Sequence, residues 1–259
     1  MVLLNLPLDQ IQLFLFVLVR VGAILFSIPF LDARNVPMML KAGLAVAVSL
    51  LVIPQLSRSP LPLLNEPVSL ALGLAGEMAI GLIIGFSVQL IFAGIQLAGQ
   101  MAGFQMGFAI ANVVDPASSL QIPILSQFLN LFGLLIFLVF NIHYYFVMAM
   151  VESFARIPLW SVHFHGDLFH LMMTLVANAF VVSVKVGAPV MVALLLTSVA
   201  LGLVARTVPQ MQIFIVAMPM KILLGLFFLG LSLPFCGSYL HDAFIALGRT
   251  LQVLIRLFI

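Results

Sequence analysis

Charge is what this sequence lacks most. Of 259 residues only 18 are ionised, 10 Lys or Arg and 8 Asp or Glu, or 7%, where soluble domains carry about 25%. With 64% hydrophobic residues and a mean hydropathy of +1.30, too few polar groups remain to cover a globule, which excludes a soluble monomer. The cations are scattered singly, so no basic patch exists for nucleic-acid phosphates. The one cysteine, Cys236, cannot form an internal disulfide and reads as a small buried hydrophobe. No Lys or Arg precedes the first apolar run, Arg20 interrupts that run, and no small-residue cleavage site follows. A removable signal peptide is therefore not expected.

Motifs for chemistry are also missing. There is no G-x-S-x-G elbow, H-E-x-x-H, P-loop or close carboxylate pair in an apolar segment, so no enzyme, cofactor or nucleotide site is expected. His163, His165 and His170 cluster near Asp167, but in a segment that reads as a loop facing water. No metal site is expected there.

What is present is long apolar segments, at about 10–30, 38–56, 68–98, 123–155, 167–205, 212–234 and 236–257. They are too long for strands and show no alternation of period two, which makes the chain an all-α membrane protein rather than a transmembrane barrel. Prolines punctuate them: Pro29 and Pro37 flank the first connection, Pro54 to Pro67 the second, and Asp115-Pro116 reads as an N-cap with proline at the first helical position. At 1.5 Å per residue the 68–98 and 167–205 segments reach roughly 46 and 58 Å, against about 30 Å of hydrocarbon. Such helices either break, with Gly187 and Pro189 the obvious place in the longer one, or run on beyond the bilayer packed against other helices. Arg34 and Lys41 favour a cytoplasmic 31–41 loop, but the later loops nearly balance, so orientation is left open.

Three charges fall deep inside apolar segments: Arg20, Glu77 and Lys185. Each costs roughly 2.5–3.5 kcal/mol to place in hydrocarbon. A proton path would need a relay, and two cations with one anion do not make one. Structural pairing, of Glu77 with Arg20 or with Lys185, is expected, and the unmatched cation points to a partner in another subunit.

The most informative stretch runs from Val88 to Pro123. Gln89, Gln96 and Gln100 share a helical face, and Gly99, Gly103 and Gly107 recur every four residues, each lowering helicity by about 1 kcal/mol relative to Ala. Helix should fail past Gly103. Large apolar groups follow on this weakened backbone, among them Phe104, Met106, Phe108, Ile110, Val113 and Val114, up to the turn at Asp115 and Pro116. Irregular backbone at membrane depth must be buried in protein or line a cavity. The stretch reads either as a flexible hydrophobic plug, sealed by Met and Phe and moved by Gly, or as a helix hairpin packed by small residues.

With those residues in view, the chain resembles the FliR/SctT family of the type III secretion export apparatus over nearly its whole length. GQMAGFQMGFAIANVVDPASS (99–119) carries most of the likeness, with FLVFNIHYYFV (137–147), ALGLVARTVPQMQIFIVAMPMK (200–221) and RVGAILFSIPFLDARNVP (20–37) in support. The resemblance implies a non-enzymatic core subunit of the flagellar protein export gate, packed with FliP and FliQ in a helical hetero-oligomer of the bacterial inner membrane that projects to the periplasmic side. It implies a FliP-like region at 1–205 and a FliQ-like helical hairpin at 206–259. It also implies FlhB and FlhA as neighbours, membrane lipid as surroundings and unfolded export substrates as cargo. The family's pore loop corresponds to about 103–118 here, placing Gly103, Phe104, Met106, Gly107, Phe108, Ile110, Val113 and Val114 in the plug, with Asp115 and Pro116 ending it. An injectisome gate is the alternative within the family, and a stand-alone ion or small-molecule transporter the alternative outside it.

Overall fold

The computed structural model describes residues 8–29, 36–56, 66–108, 124–160, 166–207 and 213–258. Among these every regular element is an α-helix: α1 Leu8–Phe26, α2 Met38–Leu56, α3 Pro67–Met106, α4 Ile124–Val139, α5 Ile142–Arg156, α6 Gly166–Thr207 and α7 Ile213–Arg256. By length and composition α1, α3, α6 and α7 can each cross a membrane, as can the bent pair α4–α5 taken as one span.

The long helices do not break. α3, α6 and α7 hold 40, 42 and 44 residues, roughly 60–66 Å each and about twice the hydrocarbon thickness. Pro189 lies inside α6, and Pro219 and Pro234 lie inside α7. Each removes one ladder hydrogen bond, a loss that long apolar helices tolerate when neighbouring helices pack around the freed carbonyl. Where two helices are expected, at 212–234 and 236–257, the structure has the single helix Ile213–Arg256, so the hairpin expected within 206–259 is not formed among the described residues.

The opposite correction applies to 123–155, expected as one helix. It breaks between α4 and α5 with a 70° bend. Asn141 occupies the left-handed region there, φ 55° and ψ 30°, a conformation that Asn tolerates better than most residues.

The chain forms two compact units. One comprises Met1–Leu90, Asn141–Leu175 and Ile245–Ile259. Within it α2 packs on α1, and Val17, Val21 and Ile24 of α1 and Ile80 and Ile84 of α3 are fully buried. α1 and α3 cross closely: a Cβ at Gly81 would lie 2.6 Å from Ala23 Cβ, and one at Gly85 would lie 2.1 Å from Ser27 Cβ. Small residues at such a crossing bring two helix backbones together. The other unit comprises Ile91–Phe140 and Val176–Phe244. Its core includes a triad of rings, Phe92, Phe137 and Phe244, with centroids 5.4–5.8 Å apart; Phe137 meets each of the other two edge-on, the geometry that aromatic quadrupoles favour.

Candidate functional site

In the second unit, the end of α3 is held from two sides. Gln96 Nε2 donates to Asn130 Oδ1 of α4 at 3.0 Å, and Ser126 Oγ donates to the Gln96 carbonyl at 2.9 Å. Gly99 approaches the same helix so closely that a Cβ would sit 2.4 Å from Ser126 Cα. Two turns on, Met106 is completely buried, its side chain lying where a Cβ on Gly225 of α7 would meet it at 2.4 Å.

The helix ends at that point. Gly107 has φ +93° and donates its N–H to the Phe104 carbonyl at 3.1 Å, a conformation available to Gly and strained in any residue with a side chain. Met218 Sδ of α7 stands 2.8 Å from where a Cβ on Gly107 would be. Gly103, Phe104 and Met106 therefore belong to the last turn of α3 rather than to a loop, Gly103 buried and Phe104 63% exposed. Burial of Ala102 and Met106 outweighs the helix-weakening effect of Gly103. Phe108 is half-buried just past the glycine. Ile110, Val113, Val114, Asp115 and Pro116 lie outside the described residues.

The three apolar-segment charges separate. Arg20 and Glu77, both in the first unit, form a fully buried ion pair through Arg20 Nε and Glu77 Oε2. Arg20 Nη1 donates to the Ser153 carbonyl at 3.1 Å and the Ile157 carbonyl at 3.3 Å, and the guanidinium lies 4.6 Å from the Phe154 ring centroid. Glu77 Oε1 accepts the Trp160 N–H at 3.2 Å. This ties α1, α3 and the chain after α5 into one polar knot inside an apolar core, where each partner removes the cost of burying the other.

Lys185 takes no part in this. It lies in the second unit, is exposed on the isolated chain, and makes no ion pair among the described residues. Its Nζ sits 5.1 Å from the Tyr239 ring centroid of α7. The interior position expected for Lys185 does not hold within the chain, because α6 turns this face outward beside Val181, Val184 and Val192.

Sequence reasoning missed Trp160, Phe154 and the carbonyls of Ser153 and Ile157. Trp160 carried a signal, being the one Trp of the chain and two residues after Pro158. It has φ +74°, and its ring fills the space over Gly73, where a Cβ would be 2.2 Å from Trp160 Cε3. Of the histidines, His163 and His165 lie outside the described residues and His170 is on α6. Cys236 is free and buried, its Sγ 3.5 Å from the Val186 carbonyl.

Comparison with known proteins agrees over nearly the full length. The family described as bacterial export proteins, family 1, matches residues 11–247. Flagellar biosynthetic protein FliR of Bacillus subtilis (strain 168) is 31% identical over 256 residues, 98% of each chain. The Escherichia coli (strain K12) protein of the same name is 30% identical over 238 residues, 92% of this chain and 90% of its own. The protein of that name from Aquifex aeolicus is 28% identical over 243 residues, 92% of each. A helical chain with several membrane-capable spans, matched from end to end in this way, belongs to the bacterial export proteins of family 1.

Proposed function

We propose that this chain is a non-enzymatic core subunit of the flagellar export apparatus in the bacterial inner membrane, and that with FliP and FliQ it builds and seals a conduit for unfolded flagellar proteins. The observation that carries the proposal is the end of α3. A helix anchored by Gln96, Ser126 and buried Met106 stops at a glycine of positive φ and passes into a segment, 108–114, whose residues are Phe, Ala, Ile, Ala, Asn, Val and Val. A firmly held root and an uncharged, small-to-medium apolar tip suit a seal that excludes ions at rest and is pushed aside by a polypeptide.

The lengths of α3, α6 and α7 support assembly. Helices of about twice the hydrocarbon thickness with apolar side chains exposed over much of their surface need protein neighbours where lipid ends, as a complex projecting to the periplasmic side supplies. In this reading residues 1–205 are FliP-like and 206–259 are FliQ-like, the latter carried by the single long helix α7. FlhB and FlhA are neighbours in the same apparatus, and energy comes from outside this chain.

The test separates gate from scaffold. Deleting 108–112, or replacing Phe108 with Ala, leaves Met106 and Gly107 in place. The complex should assemble normally and the cell membrane should leak ions. Normal assembly with unchanged conductance would leave the chain as scaffold only.

A further inference from the structure

Lys185 marks the middle of an uncovered face in the second unit. With Ala188, Pro189 and Val192 of α6 and Phe235 and Tyr239 of α7 it lines an open groove of about 560 Å³. Val181 and Leu195 extend the groove's apolar surroundings along α6, and Phe227 and Leu231 do so along α7, all exposed on the isolated chain. The spacing of 227, 231 and 235 is one residue per turn, so the α7 stripe is a continuous ridge.

The lysine is 19 residues from the start of α6 and 22 from its end, roughly 28 and 33 Å along the axis. Its side chain cannot reach either end by snorkelling. Exposed apolar side chains run on both sides of it, so its surroundings are apolar whichever stretch the bilayer covers. The ring of Tyr239 shares the charge but accepts no ordinary hydrogen bond from the ammonium through its face. Pro189 adds a second demand, because it has no N–H to give to the carbonyl four residues earlier, which is that of Lys185. One residue thus presents a cation and a carbonyl without its helical donor, at the same level of an apolar groove.

We propose that this groove is the seat of a transmembrane helix from a different membrane subunit, one that places an Asp or Glu carboxylate against Lys185. Charge complementarity selects that occupant over a second copy of this chain. Of the chain's own acids, Glu77 of α3 is buried on Arg20, and Asp242, exposed one turn beyond Tyr239 on α7, makes no ion pair with Lys185 and already lies 3.4 Å from His241. Lipid tails offer no carboxylate. The inference depends on the chain assembling with other membrane proteins, as proposed above, and not on what the assembly conducts.

The experiment places a photoreactive amino acid at Val192 in the full-length chain, in its native membrane, and identifies the adduct by peptide mass spectrometry. The expected adduct is a peptide of another integral membrane protein with a carboxylate inside its apolar stretch. Lys185→Glu should cut its yield about tenfold or more, and exchanging that carboxylate for Lys in the same cell should restore it. Adducts only with lipid or with this chain, a partner peptide without an acid, an undiminished yield with Lys185→Glu, or no rescue by the charge exchange would each overturn the proposal. Export is not the readout, so a cell that forms the adduct and exports nothing would sink the conduit reading and leave this one standing.

Discussion

Arg20 and Lys185 are both cations in the middle of apolar helices, and the chain treats them in opposite ways. Arg20 is enclosed, with a carboxylate, two carbonyls and an aromatic face around it. Lys185 is left on the surface with one ring beside it. The first unit therefore gives its mid-helix cation a counter-ion by folding, and the second does not, which is the gap the proposed partner fills. Sequence position alone does not separate them, since each has Val on both sides, Val19 and Val21 or Val184 and Val186. What differs is the helix packed opposite: α3 brings Glu77 to Arg20, while α7 brings Tyr239 and Phe235 to Lys185.

The sharpest test of this contrast is Glu77→Leu. It leaves the Arg20 guanidinium buried without its counter-ion and should cost about 3–5 kcal/mol, seen as loss of the chain from membranes and as a large drop in thermal midpoint for the purified chain in detergent. Adding Arg20→Leu should recover much of that stability, because removing a whole buried pair costs less than orphaning one member. Glu77→Gln should weaken folding or assembly and leave the pH dependence of export unchanged. A Glu77→Gln chain that assembles normally but loses proton-coupled export would turn the pair from a structural knot into a working proton site.

A smaller effect is expected at the root of the proposed plug. Gly107→Ala forces a side chain into a positive-φ position and against Met218, at about 1–3 kcal/mol. Ion leak with little change in overall thermal stability would show that the strain loosens the 108–114 segment rather than the unit. A fall in thermal midpoint comparable to that of Glu77→Leu would show that Gly107 holds the fold together and would remove the distinction between root and tip.

Much of this was legible in the residues. The helical class followed from long runs without alternation, and the failure of helix past Gly103 followed from glycines spaced by four. Pairing between Arg20 and Glu77 was legible as a possibility, but Lys185 competed for the same carboxylate until the packing of α3 was known. Breaks were the least legible feature. Pro234 stands at the boundary expected between 212–234 and 236–257 and is carried through α7, while Asn141, with no proline or glycine beside it, turns the chain by 70°. Proline reports a lost hydrogen bond, and whether the helix bends there depends on the packing around it, which local sequence does not contain.

The smallest effect is expected from Lys185→Met in the purified, isolated chain. An exposed side chain with one aromatic contact should change stability by no more than about 0.5 kcal/mol, and the apolar replacement suits the groove it lines. In the assembled complex the same substitution leaves the partner's carboxylate facing Met, so co-purification should fall well beyond anything the isolated chain shows. The two measurements have to disagree for the contrast with Arg20 to stand. If the isolated chain loses as much stability with Lys185→Met as with Glu77→Leu, then Lys185 is satisfied within its own fold, and both cations belong to folding.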